Sequence, residues 1–208
     1  MRSMIRLVVL LIVTCISTVS DLALVQERRS SPQVEELILK AEGGDRQAIL
    51  QMGSLGDQSA VPYLQKIRGD SSESSGSASS YAQMALAKLG VKKELDEILK
   101  EANSDDPAIQ QAATKKLAYI GGRDAIGTLV GLLDQNKYRS MKGFDPNRLG
   151  PNGERPQGRE VFPPLNLDAM RALSQIVSSP PVDPKATPTQ ADVATWRRWY
   201  EANKDKLR

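Results

Sequence analysis

Four stretches of the chain repeat one spaced pattern: Ala, four residues on Leu or Met, three more to Leu or Ile. The copies are Ala48–Met52–Leu55, Ala82–Leu86–Leu89, Ala113–Leu117–Ile120 and Ala169–Leu173–Ile176. A glycine follows the first three, at Gly56, Gly90 and Gly121, and Val177 follows the fourth. Beyond each glycine a second pair recurs: Val61/Leu64, Leu95/Ile98 and Ile126/Leu129. Successive copies are 34, 31 and 56 residues apart. A period of this size marks units that cannot bury an apolar face alone and bury it by stacking on one another. The spacings within each copy are helical, and the glycines stand where a helix end needs a left-handed residue. The expectation is an all-α fold of stacked helical hairpins.

Punctuation along the chain places the helices. Val34, Leu37, Ile38 and Ala41 form an amphipathic stripe ending at Gly43-Gly44. Asp45 suits the cap of the next helix, and Asp106-Pro107 is a capping acid followed by a proline in the first turn. The helices that carry the pair beyond each glycine are expected from near Gln58, over 92–102 and over 124–134. Thr189 with Asp192 reads as a capping box opening a last helix over 189–207, with Val193, Trp196, Tyr200 and Leu207 on one face. Three segments break the period. Residues 71–80 hold seven serines and read as a loop. Residues 138–164 hold four glycines and five prolines and read as an insert that lengthens the last period. Residues 178–188 are a proline-rich connection.

The N-terminus reads as an export signal over residues 1–20. Arg2 and Arg6 precede an uncharged run from Leu7 to Val19, and small residues then allow cleavage before Asp21. A periplasmic or secreted protein is expected. Two other fates stay open: an uncleaved membrane anchor, and lipidation of Cys15 in the run Ile12-Val13-Thr14-Cys15. Residues 21–33 form a polar spacer, and 34–208 form the repeat domain. Removing residues 1–20 leaves 26 basic and 25 acidic residues, so the basic composition gives no reason to expect nucleic acid. The chain has no histidine, and its one cysteine lies within the leader. The commonest general base, zinc ligand and thiol nucleophile are thereby absent from the mature segment, and no catalysis, cofactor or metal is expected. The acids Glu94, Asp96, Glu97, Glu101, Asp105 and Asp106 read as a solvated face, because Leu95, Ile98 and Leu99 take the inward stripe.

The stretch Asp105 to Gly121, with Ala113, Leu117 and Ile120 in register, resembles the second helix of HEAT repeats. Gly56 to Leu64 resembles the turn into a first helix. The closest likeness is to the short HEAT-like repeats named after phycobilisome lyases, over residues 34–134 and more weakly over 165–208. Gln110 and Gln111 depart from the family, standing where basic residues are usual. The resemblance implies an α-α superhelix, a right-handed solenoid whose second helices line the concave side. There the residue two after each patterned alanine points outward, which selects Leu50, Met84, Lys115 and Arg171. Further candidates for partner contact are Phe144 and Arg148 in the insert and Arg198 and Trp199 on the last helix. The expected role is a monomeric scaffold for a protein or peptide partner. The alternative is an accessory module of an envelope enzyme complex, or a protein akin to the chromophore lyases.

Overall fold

A computed structural model describes residues 30–70, 76–140 and 161–207. Within them the fold is all-helical. Eight helices form four successive hairpins: α1 (Pro32–Glu42) with α2 (Arg46–Leu55), α3 (Val61–Gly69) with α4 (Gly76–Lys88), α5 (Lys92–Ala102) with α6 (Pro107–Ile120), and α7 (Gly122–Gly131) with α8 (Leu165–Ile176). A ninth, α9 (Gln190–Asn203), packs on α7 and α8. Short 3-10 turns lead into α3 and follow α7 and α9.

The second helices pack in sequence order, α2 on α4, α4 on α6 and α6 on α8. They form one layer, with α1, α3, α5 and α7 behind it. The four patterned alanines lie in the interior of this arrangement, each with no exposed surface. Their small side chains let neighbouring helices approach closely. The helices come close at Gly53, where an added Cβ would lie 2.7 Å from the Ala85 Cα.

The predicted caps form. Asp45 Oδ1 accepts from the Gln47 amide at 2.8 Å, and Asp106 Oδ1 accepts from that of Ala108 at 2.8 Å. The Thr189 amide donates to Asp192 at 2.7 Å, the returning half of a capping box. Gly56 and Gly90 end their helices at φ 77° and 86°. A side chain at either position would be strained by the left-handed backbone.

Several expectations are corrected. Stacking of the repeats predicts that Leu86, Leu89, Ile98, Leu117, Ile120 and Leu129 share one continuous core, and they do not. Leu86 and Leu89 join Val34, Ile49, Met52 and Leu64 in one cluster, while Ile98, Leu117 and Leu129 join Leu133, Leu165, Leu173 and Trp196 in another, with Ile120 packed at its edge. The serine tract is shorter as a connection than its composition suggests, because Ser77, Ser79 and Ser80 belong to α4. Ser79 is tied there by Arg68, whose Nη1 donates to its Oγ at 3.1 Å. The helix expected from Asp124 starts two residues earlier at Gly122. A two-residue antiparallel pair, β1 (Arg139–Ser140) with β2 (Val161–Phe162), joins the two ends of the insert.

The acids of α5 explain the split core. Glu94 is only 6% exposed, and Arg68 Nε donates to it at 3.0 Å while Nη2 donates to Glu97 at 3.1 Å. Gln83 Nε2 donates to Glu97, and Lys116 Nζ donates to Gln83 Oε1 at 2.8 Å and to Glu101 at 2.7 Å. A polar chain therefore runs between the second and third hairpins. Glu94, Glu97 and Glu101 lie three to four residues apart, on one flank of α5. That flank meets Arg68 of α3, Gln83 of α4 and Lys116 of α6, so these three acids do not form a solvated face. Asp96 does point outward, paired with Lys92.

Candidate binding surface

Helical geometry sorts the outward side of the second-helix layer into rows. A residue two positions after the patterned alanine lies roughly 200° round the helix from it. Leu50 and Met84 are half-buried in this row, and Lys115 and Arg171 are exposed. The row four residues further on holds Ser54, Lys88, Tyr119 and Gln175. The row two before the alanine holds Arg46, Ser80, Gln111 and Leu167.

Tyr119 ties these rows together. Its hydroxyl donates to the Leu50 carbonyl and lies 3.4 Å from Ser54 Oγ, so α6 reaches past α4 to α2. Helices packed side by side lie about 8–10 Å apart. A tyrosine cannot bridge two such steps in a flat layer, so the layer must draw inward on this side. Gly53 makes room, since a Cβ there would fall 2.5 Å from the Tyr119 hydroxyl. Lys88 completes the contact. Its ammonium donates to the Tyr119 carbonyl at 2.6 Å and stands 4.6 Å from the ring centre, within cation–π range. Burial pushes the Tyr119 phenol above its usual range, and the hydrogen bond with Ser54 opposes it. Desolvation pulls the Lys88 ammonium below its usual range.

At the other end of the layer, Gln111 Nε2 donates to Asp168 at 2.9 Å, and Arg171 Nη1 donates to the same carboxylate at 3.0 Å. Gln111 thus links the third hairpin to the fourth. Gln110 turns the other way into the interior, where it donates to the Ala102 carbonyl at 2.8 Å and accepts from Arg139. Arg139 Nε and Nη2 are buried without a hydrogen-bond partner among the described residues, and desolvation lowers its guanidinium pKa.

The candidate residues therefore divide. Leu50, Met84, Lys115 and Arg171 share the outward side of one layer. Arg198 is exposed on α9, which packs on α7 and α8 and contributes nothing to the rows above. Trp199, expected as an exposed anchor, is half-buried against the second core cluster, its ring edge-on to Trp196 at 5.7 Å. Trp196 fills the centre of that contact with no exposed surface. Phe144 and Arg148 lie outside the described residues. Two open depressions flank α9 and the insert. One, of about 520 Å³, is lined by Gly127, Val130, Asp134, Arg197 and Tyr200, and the other, of about 440 Å³, by Gln135, Lys137, Tyr138 and Arg139.

In comparisons with known proteins the chain matches no family model, and no curated protein or solved structure is similar to it. Among the described residues, no group of three or more His, Cys, Asp or Glu side chains is placed to hold a metal ion. No helix among them is long and apolar enough to cross a membrane.

Tyr119 and the Arg68–Glu94 pair were not singled out from the sequence. Tyr119 occupies the i+6 position after Ala113, next to the patterned Ile120, and carries no composition signal. The partners of Arg68 lie 26 and 29 residues away in sequence, beyond any local rule.

Proposed function

We propose that this protein is an exported, non-enzymatic scaffold of HEAT-like hairpins that binds a protein or peptide partner. The hairpins would form a right-handed solenoid, with the second helices as its binding side. The observation that carries the reading is the row Leu50, Met84, Lys115 and Arg171. Four equivalent repeat positions on four consecutively packed helices present side chains on one side of one layer. Stacked repeats extend such a side without a deep pocket, which suits a long partner better than a small substrate. The four residues of that row, two thioether or aliphatic side chains and two bases, include no nucleophile paired with a base, so the row offers contacts rather than chemistry.

Two measurements test this. Mass spectrometry of the protein from envelope fractions is expected to give an N-terminus near Asp21, and an intact Met1 in the cytosol would refute export. The combined variant Leu50→Ser, Met84→Ser, Lys115→Glu, Arg171→Glu should keep the wild-type helical spectrum and lose the partner that co-purifies with wild type. Retention of that partner by the folded variant would refute the assignment of the binding side.

A further inference from the structure

Charge is divided unequally between the two layers. The second helices α2, α4, α6 and α8 carry five basic residues, Arg46, Lys88, Lys115, Lys116 and Arg171, against the single acid Asp168, a net of +4. The first helices α1, α3, α5 and α7 carry eight acidic and seven basic residues, a net of −1. The mature chain as a whole is nearly neutral, so the positive charge is a property of one layer and not of the composition. Only Lys116 of the five turns to the polar chain between the hairpins. Arg46, Lys88 and Lys115 are exposed and make no ion pair among the described residues, and Arg171 remains half-exposed beside Asp168.

The row two after the patterned alanines is also graded along its length. Its α2–α4 end offers Leu50 and Met84, with Arg46 and Lys88 in the rows beside it, and its α6–α8 end offers Lys115 and Arg171. From this we infer that the occupant is an extended acidic peptide segment, with an apolar anchor at the α2–α4 end and carboxylates at the α6–α8 end. The inference rests on the scaffold reading above and adds the chemistry and direction of the partner. Because the Tyr119 hydroxyl reaches the Leu50 carbonyl, α6 and α2 stand closer on this side than two side-by-side steps, and an extended chain spans Leu50 to Lys115 in roughly four to five residues. The matching segment therefore carries its apolar pair roughly four to five residues from its acids.

A nucleic acid would satisfy the charge and not the rest. Single strands are held by aromatic platforms on which bases stack. The one aromatic residue in these rows, Tyr119, is already committed to Leu50, Ser54 and Lys88. The half-buried Leu50 and Met84 offer a backbone phosphate nothing.

The test uses fluorescence anisotropy of the full mature chain with a labelled peptide, Leu-Leu-Gly-Ser-Gly-Glu-Glu-Gly-Glu-Glu. Comparison ligands are its lysine-for-glutamate version and an oligothymidylate. Binding of the acidic peptide should weaken as salt rises from about 0.05 to 0.3 M, as exposed charges are screened. Lys115→Glu should weaken it by roughly three- to tenfold, as expected for reversing one exposed contact. Lys93→Glu, on the first-helix layer, should leave it unchanged, and Met84→Ser should weaken it at both salt concentrations. Equal binding of the lysine peptide, tighter binding of the oligonucleotide, equal effects of Lys93→Glu and Lys115→Glu, or no binding of the acidic peptide would each overturn the inference. In every such case, loss of the co-purifying partner in the combined variant would still uphold the scaffold reading, so the two fail separately.

Discussion

Replacing a glycine inside a helix by alanine ordinarily stabilises it, because alanine lowers the entropy lost on folding and gains about 1 kcal/mol of helix propensity. At Gly53 the opposite sign is expected. An added Cβ would sit 2.5 Å from the Tyr119 hydroxyl, 2.7 Å from the Ala85 Cα and 2.9 Å from the Ala85 Cβ. The tyrosine hydroxyl can swing away, at the loss of its hydrogen bond to the Leu50 carbonyl, worth about 1 kcal/mol. Backbone at Ala85 cannot swing, so α2 and α4 must separate, at a cost of about 1–3 kcal/mol for an overpacked contact. Set against the propensity gain, Gly53→Ala should destabilise the protein by about 1–3 kcal/mol. For a chain of this size that lowers Tm by roughly 2–4 °C for each kcal/mol. Gly131 provides the control. It lies at the end of α7 with φ −59° and ψ −34°, and an added Cβ there meets nothing within 4 Å. Gly131→Ala should therefore be neutral or stabilising by up to about 1 kcal/mol. Urea unfolding followed by far-UV circular dichroism measures both. The double variant Gly53→Ala, Tyr119→Phe should recover only part of the loss, since the Ala85 contact persists. A Gly53→Ala protein as stable as the wild type would refute the close approach of α2 and α4.

Other outcomes follow from the same contacts. Leu117→Ala, at a site with no exposed surface, should cost about 2–5 kcal/mol in urea unfolding, the range for a buried leucine cavity. Arg68→Ala leaves Glu94 buried without its partner, and should cost near the lower end of roughly 3–5 kcal/mol because Arg68 itself is 34% exposed. Glu94→Gln should restore part of that loss when combined with it. For Tyr119 the folded pKa is raised, so the folded state holds the proton above pH ~10 while the unfolded chain releases it. Its contribution is full below that pH and declines as pH rises through the folded pKa, so the stability gap between wild type and Tyr119→Phe should shrink in melts taken above pH ~10.

The repeat was legible because the fold reuses one solution. Ala48, Ala82, Ala113 and Ala169 each mark the point where a second helix meets its neighbours, and all four are fully buried. Caps were legible for a related reason: Asp45, Asp106, Gly56 and Gly90 act through bonds and dihedrals within a few residues of themselves. Contacts between hairpins were not. Glu94 has the sequence neighbourhood of a surface acid, and only the position of α3 turns it inward to Arg68. Leu55 fits the pattern as well as Leu89 does, yet it is 41% exposed at the outer end of the described hairpins, whereas Leu89 is 7% exposed. Trp199 shows the same limit, since helical geometry fixes its place on α9 but not the depth to which α9 sinks onto α7 and α8. The candidate row was found from the period alone, because positions that repeat in sequence repeat in space when the hairpins stack. Tyr119, which bends that row toward α2, depends on an absence of side chain at Gly53, and no spacing rule couples those two positions.

The most direct test of a binding side formed by the second helices is where the partner touches. A photo-reactive amino acid placed singly at Met84, Lys115, Lys93 or Asp96 can be cross-linked in cells that express the protein. Met84 and Lys115 belong to the second-helix layer, and Lys93 and Asp96 to α5 behind it. Adducts to one and the same polypeptide from Met84 and Lys115, absent from Lys93 and Asp96, are the predicted result. Adducts from Lys93 and Asp96 alone would place the partner on the first-helix layer and contradict the account.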